Sequence, residues 1–149
     1  MSDSLRERIV QAVLTKLNTG TPSGVPDAKR AWTTVLNENQ LPMIAVYWPK
    51  DDARPIGGPQ PVLMDRTLTL AVGVWFAGNV STTADQLADA ALQWIVSSLS
   101  GQEEAGLYEL MLEDGTECEL AGAEVPFARV TVHVTVKYQT AVNRLDVRT

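Results

Sequence analysis

Apolar residues recur every third or fourth position early in the chain and every second position near its end. That change of period separates helical from extended stretches. Leu5, Ile9, Val13 and Leu17 form one stripe, widened by Val10 and Leu14, which predicts a helix from Leu5 to Leu17. Ser4 followed by Glu7 is a capping-box pattern at its start, and Asn18 to Gly24 cannot continue it. A second helix is predicted from Ala84 to about Leu99, with Leu87, Ala88, Ala91, Leu92, Ile95 and Leu99 as its buried stripe. Thr83 with Gln86 repeats the capping box, and Gly101 suits a left-handed end.

The remaining pattern is extended. Val62 to Ala77 places Leu68, Leu70, Val72, Val74 and Phe76 on one face, with Thr67, Thr69, Ala71, Gly73 and Trp75 on the other. Arg129 to Gln139 alternates in the same way, with Val130, Val132, Val134, Val136 and Tyr138 on the apolar side. Met43 to Trp48 reads as a short strand, whereas residues 28–36 are compatible with strand or helix. Pro49 to Pro61 holds four prolines and Gly57-Gly58, which predicts a loop. Leu107 to Glu113 and Thr116 to Leu120 flank Asp114-Gly115, a strong hairpin-turn signal. The sum is an α+β fold with a mostly antiparallel sheet. Two main helices pack on one face, a β-hairpin arm and long loops complete it, and residues 1–149 make a single domain.

Composition narrows the chemistry. Twelve Lys and Arg against 18 Asp and Glu give a net charge of −6, so the chain lacks the overall basic footprint of a phosphate-gripping protein. The excess is local: from Gln102 to Ala128 there are eight acids and no base. One cysteine, Cys118, excludes an internal disulfide, and one histidine, His133, excludes sites that need two imidazoles. His133 sits on the polar side of an alternating strand with no G-x-S-x-G elbow in the chain, and Cys118 stands between Glu117 and Glu119. Gly57-Gly58 and the Gly20–Gly24 loop lack the context of a phosphate cradle. Asn79-Val80-Ser81 reads as the approach to a helix cap. No apolar run approaches membrane-spanning length, and the charged N-terminus does not read as a signal peptide. Neither a cofactor, a metal site nor catalytic residues are expected.

The order of elements carries a resemblance. The capped helix Leu5-Arg6-Glu7-Arg8-Ile9-Val10-Gln11-Ala12-Val13 is followed by Leu41-Pro42-Met43-Ile44-Ala45-Val46. Arg66 to Val72 comes next, with the pattern Arg-x-Leu-x-Leu-x-Val, and then a helix containing Asp85-Gln86-Leu87-Ala88. Val136-Lys137-Tyr138-Gln139-Thr140 closes the series. Over nearly its whole length the chain resembles the tail terminator, or minor tail protein U-like, family of tailed bacteriophages. The resemblance implies a non-enzymatic virion protein of the phage tail, assembled in the host cytoplasm. It would form a homo-hexameric ring on the last ring of the tail tube, stop tube polymerisation and offer a surface to the head–tail connector protein. Its partners would be its own copies, the tail tube protein and the connector, with DNA only in transit and no membrane. Two other readings stay open: another phage neck or tail part (a head-completion protein or tube subunit), and a small-ligand-binding or enzymatic α+β domain.

Two groups of residues are site candidates from charge and position. Lys50, Asp51, Asp52 and Arg54 put both signs of charge on the proline-rich stretch and are candidates for contact between subunits. Glu109, Glu113, Glu117 and Glu119 are candidates for a ring's channel or rim, where a wall of acids would keep DNA phosphates moving. A solvated acidic arm is the plainer account of the same four glutamates.

Overall fold

A computed structural model describes residues 3–30, 42–58, 63–77, 84–99, 107–121, 127–142 and 145. Its elements run α1 (Leu5–Leu17), β1 (Ala28–Arg30), β2 (Met43–Ile56), β3 (Leu63–Ala77), α2 (Ala84–Leu99), β4 (Leu110–Ala121) and β5 (Phe127–Ala141). Helix α1 begins and ends where its apolar stripe does. The Glu7 N–H donates to Ser4 Oγ at 3.1 Å, which satisfies one of the donors a helix start leaves open. The Glu7 carboxylate, expected to complete the box, takes Arg30 Nη1 at 2.6 Å and Gln11 Nε2 at 3.0 Å. At the other end Asn18 pairs through its side-chain amide with both backbone groups of Ala28, fixing the entry into β1.

The five strands lie in the order β1-β2-β3-β5-β4. Only the short β1–β2 pair is parallel; the other pairs are antiparallel, so the α+β class and mostly antiparallel sheet expected from the sequence are what the chain forms. Residues 28–30 of the undecided segment are strand, and residues 31–36 lie outside the described residues. One sheet face, built from Ile44, Val46, Leu68, Leu70, Val72, Val74, Val130, Val132, Val134 and Val136, joins Ile9, Val13, Leu17, Ala88, Ala91 and Ile95 in a continuous core. Leu92 packs at its margin and is only partly buried. The Thr83–Gln86 cap, the Leu87 side chain and Asn79 to Ser81 lie outside what is described.

Two readings are corrected. The proline-rich stretch is not a loop over Pro49–Ile56, because β2 continues to Ile56 and pairs with β3 as far as Leu63. Proline is tolerated there because β1 flanks only residues 44–46 of β2. Beyond them no described strand lies on that side, so a missing N–H breaks no ladder. Residues 59–61 lie outside the described residues. Nor does Asp114-Gly115 turn a hairpin. Strand β4 runs through it and pairs with β5 from Leu110 to Ala121, so the hairpin is the β4–β5 pair itself. The long partner strand offers a continuous ladder to both halves, and Asp114-Gly115 becomes an interruption within it.

Both interruptions have the same form. Tyr47 pairs with Ala71 and Lys50 with Thr69, leaving Trp48 and Pro49 opposite Leu70. Glu113 pairs with Val134 and Thr116 with Val132, leaving Asp114 and Gly115 opposite His133. Each is a β-bulge with one extra residue, and Gly115 supplies the positive φ (103°) its bulge uses. One extra residue turns every later side chain to the opposite face.

Candidate functional site

The bulge at Trp48-Pro49 decides the fate of the four charged residues just beyond it. Strict alternation from Ile44 and Val46 would send Lys50 and Asp52 to the helix-covered face. With the bulge, Asp51 pairs with Leu68 and takes that face. Its side chain is 3% exposed, whereas Lys50 and Asp52 are 66% and 62% exposed and bridge each other at 3.3 Å. Arg54 is also exposed. The candidate subunit-contact group is therefore split: Lys50, Asp52 and Arg54 meet solvent, and Asp51 is structural.

Asp51 is the hub of a buried cluster. Its Oδ2 accepts from Arg6 Nη1 at 2.9 Å and from the Tyr138 hydroxyl at 2.5 Å, with Arg66 Nη1 at 3.8 Å. Arg66 also donates through Nε to the buried Thr140 hydroxyl at 2.9 Å. Arg6 stacks on Trp48, its guanidinium 4.0 Å from the ring centre, so the bulge residue also anchors the cation that the bulge's neighbour needs. Burial, the hydrogen bond to Asp51 and the nearby negative charge hold the Tyr138 hydroxyl far above the ordinary tyrosine range. It remains a donor at any ordinary pH. The other oxygen, Asp51 Oδ1, is buried with no hydrogen-bond partner among the described residues. Sequence patterning alone does not single out Arg6, Arg66 and Tyr138 as a group; the only signal is a lone Arg within an otherwise apolar-alternating strand.

Beside this cluster lies a cleft of about 460 Å³ lined by Asp52, Arg54, Asp65, Arg66, Thr67, Glu109, Lys137 and Tyr138. Three cations face three carboxylates across it, a balance that selects neither anion nor cation. Among the described residues no group of three His, Cys, Asp or Glu is placed to hold a metal ion, and no helix is long and apolar enough to cross a membrane.

The second candidate group lies along the opposite edge. Strand β4 is the outermost strand, with no described strand on its far side. Glu109 precedes it, its N–H donating to the Lys137 carbonyl at 2.8 Å, and its side chain is exposed. Glu113 shares the helix-covered side with Met111, where an apolar groove of about 510 Å³ runs between β4 and the Leu92 and Val96 positions of α2. After the bulge Glu117 pairs with Thr131, on the face away from the helices, and Glu119 is in register with Arg129. The four glutamates thus occupy an edge and do not form one wall. Leu110 and Leu112 stand beside them, 37% and 46% exposed. Cys118 is exposed and free.

The chain matches no family model, and no curated protein matches it in sequence.

Proposed function

We propose that this chain is a non-enzymatic, self-assembling phage protein that forms a hexameric ring at the end of a tail tube. The reading starts from the element order and motifs that resemble tail terminators. The observation that carries it is the outer edge of β4, where 12 residues of backbone run with no described strand on the side away from β5 while Leu110 and Leu112 are exposed. A long strand edge that exposes apolar side chains at one end is a hazard in a protein that stays alone, and an asset in one that must join others. In this reading the ring's two rims meet the tube protein and the connector, and DNA passes through without being held.

Native mass spectrometry over a range of concentrations tests it. A closed six-membered species is the expected result. Open-ended polymers would make the chain a tube subunit instead, and a monomer at every concentration would overturn self-assembly altogether.

A further inference from the structure

We infer that the groove between α2 and β4 is a docking site for a basic, amphipathic segment of another protein. Apolar side chains of that segment would sit on Leu92 and Val96, and its Lys or Arg side chains would reach Asp89 and Glu113. The inference goes beyond the ring reading and stands without it.

Helix α2 has more apolar surface than the sheet covers. Ala88, Ala91, Ile95 and Leu99 are fully buried. Leu92 and Val96, four residues apart, form a second line on the flank toward β4, and both stay half-buried. The groove they floor measures about 510 Å³, which lies within the roughly 300–1,000 Å³ of ordinary binding clefts. The β4 bulge shapes its other wall. Glu113 and Thr116 pair with Val134 and Val132, so both take the helix side, where strict alternation would have sent Thr116 away. The Thr116 hydroxyl then donates to the Glu113 carboxylate at 3.1 Å, and on α2 Gln93 Nε2 donates to Asp89 at 3.2 Å. Each bond holds an exposed carboxylate at the rim.

Charge decides what fits. Between Arg66 and Arg129 the sequence holds ten Asp and Glu and no Lys, Arg or His, so neither α2, β4 nor the chain leading into them carries a base. Strand β5 does carry Arg129, His133 and Lys137. These alternate with the buried Val130, Val132, Val134 and Val136 and so take the face away from the helices. An apolar floor inside a rim of one sign favours a basic amphipathic partner and repels an acidic one. The chain's own bases are a poor source of that charge. Arg6 and Arg66 are held by Asp51, Arg30 by Glu7 and Lys50 by Asp52, while Lys16 donates to the Tyr108 hydroxyl. The occupant is therefore a different protein, bound as amphipathic segments bind apolar grooves.

The probe is a fluorescent amphipathic peptide of leucine and lysine, used with two comparison peptides. Serine replaces leucine in one, and glutamate replaces lysine in the other. Anisotropy at physiological salt should show the first peptide bound and each of the others bound at least about tenfold more weakly. NMR shift changes in the full chain should centre on the Leu92 and Val96 methyl groups. Two variants separate the groove from general acidity: D89K/E113K and D52K/E117K change the net charge equally, and all four positions are exposed. Circular dichroism and melting should show both folded. The first should weaken binding at least about tenfold, and the second should leave it within about twofold. Equal weakening by the two variants, or equal binding of the serine peptide, would reduce the effect to diffuse charge attraction and overturn the proposal. No binding to wild type would overturn it too. If sedimentation velocity shows wild type self-associating and D89K/E113K alone losing that association, the occupant is a second copy and the proposal is wrong. A ring that ignores the peptide would sink this inference and spare the ring reading; a monomer that binds it in the groove would do the reverse.

Discussion

The bulges in β2 and β4 begin alike and end differently. Each adds one residue to a strand, each is marked in the sequence by turn-forming residues (Pro49, Asp114-Gly115), and each reverses the faces taken by the later residues of its strand. In β2 the reversal drives a carboxylate inward, to a site where two arginines and a tyrosine converge on it. In β4 it carries Glu117 away from the helices, to the open side of an edge, where solvent covers it. The difference lies in what the rest of the fold supplies. Helix α1 brings Arg6 to the middle of β2, while β3 and β5 bring Arg66 and Tyr138. Glu117 instead stands in register with Thr131, an uncharged residue. A bulge sets only the direction of a side chain; its surroundings set the energetic meaning.

The strongest test of that contrast compares adjacent aspartates. Asp51→Ala should cost about 3–5 kcal/mol in urea unfolding, because it leaves the cluster's arginines facing no carboxylate in a largely buried place. Asp52→Ala should change stability by less than about 0.5 kcal/mol. Similar effects at the two positions would mean that the bulge does not sort them.

Next come the bulges themselves. Gly115 has φ +103°, where an L side chain is strained although nothing lies within 4 Å of an added Cβ. Gly115→Ala should therefore cost roughly 1–2 kcal/mol through the backbone alone. The β2 bulge contains no residue at positive φ, and Pro49→Ala should stay below about 1 kcal/mol. Equal losses would show that the two irregularities are held by the same device.

A smaller effect belongs to alkaline solution. The Tyr138 pKa is raised in the folded chain, so folding favours the protonated phenol. The resulting stability is complete below the ordinary value near 10 and declines as pH rises above it, when the unfolded chain ionises first. Tyr138→Phe should flatten the loss of stability above pH 10 relative to wild type; an unchanged slope would place Tyr138 outside the charge cluster. Absorbance titration of the native protein should likewise show ionisation of Tyr138 delayed beyond the ordinary tyrosine range, a delay that Tyr138→Phe removes.

The smallest effect is expected at Glu7, whose pKa is lowered chiefly by its hydrogen bond from Arg30 and next by that from Gln11. Its contribution is present above the unfolded value near 4.5 and fades as pH falls through the lower folded value. Glu7→Gln should remove under about 1 kcal/mol at neutral pH, with less loss on acidification than wild type shows. A loss as large as that of Asp51→Ala would erase the distinction between a buried and a half-exposed pair.

Much of the scaffold was legible because its signals are local. Leu5, Ile9, Val13 and Leu17 repeat at helical spacing with a cap in front, and α1 has those bounds. Leu68 to Phe76 and Val130 to Tyr138 alternate without interruption, and β3 and β5 pair along their whole length. The misreadings fall where local and long-range preferences conflict. Pro49 and Asp114-Gly115 favour turns when judged beside their neighbours alone. Each sits beside a long, regular strand whose ladder is worth more than a local turn, so the chain bends its register and continues.

The sequence by itself determined the two helices, the two central strands, the α+β class and the acid-rich, base-free stretch around β4, because periodicity and charge are properties of neighbours in the chain. Tertiary structure alone decided which of two adjacent aspartates is buried, and that the glutamates divide along an edge. Those outcomes hang on a one-residue slip between strands and on an arginine 45 positions away from Asp51 in sequence. A slip of one residue leaves the composition and the apolar pattern unchanged, yet exchanges the inside of a sheet for its outside.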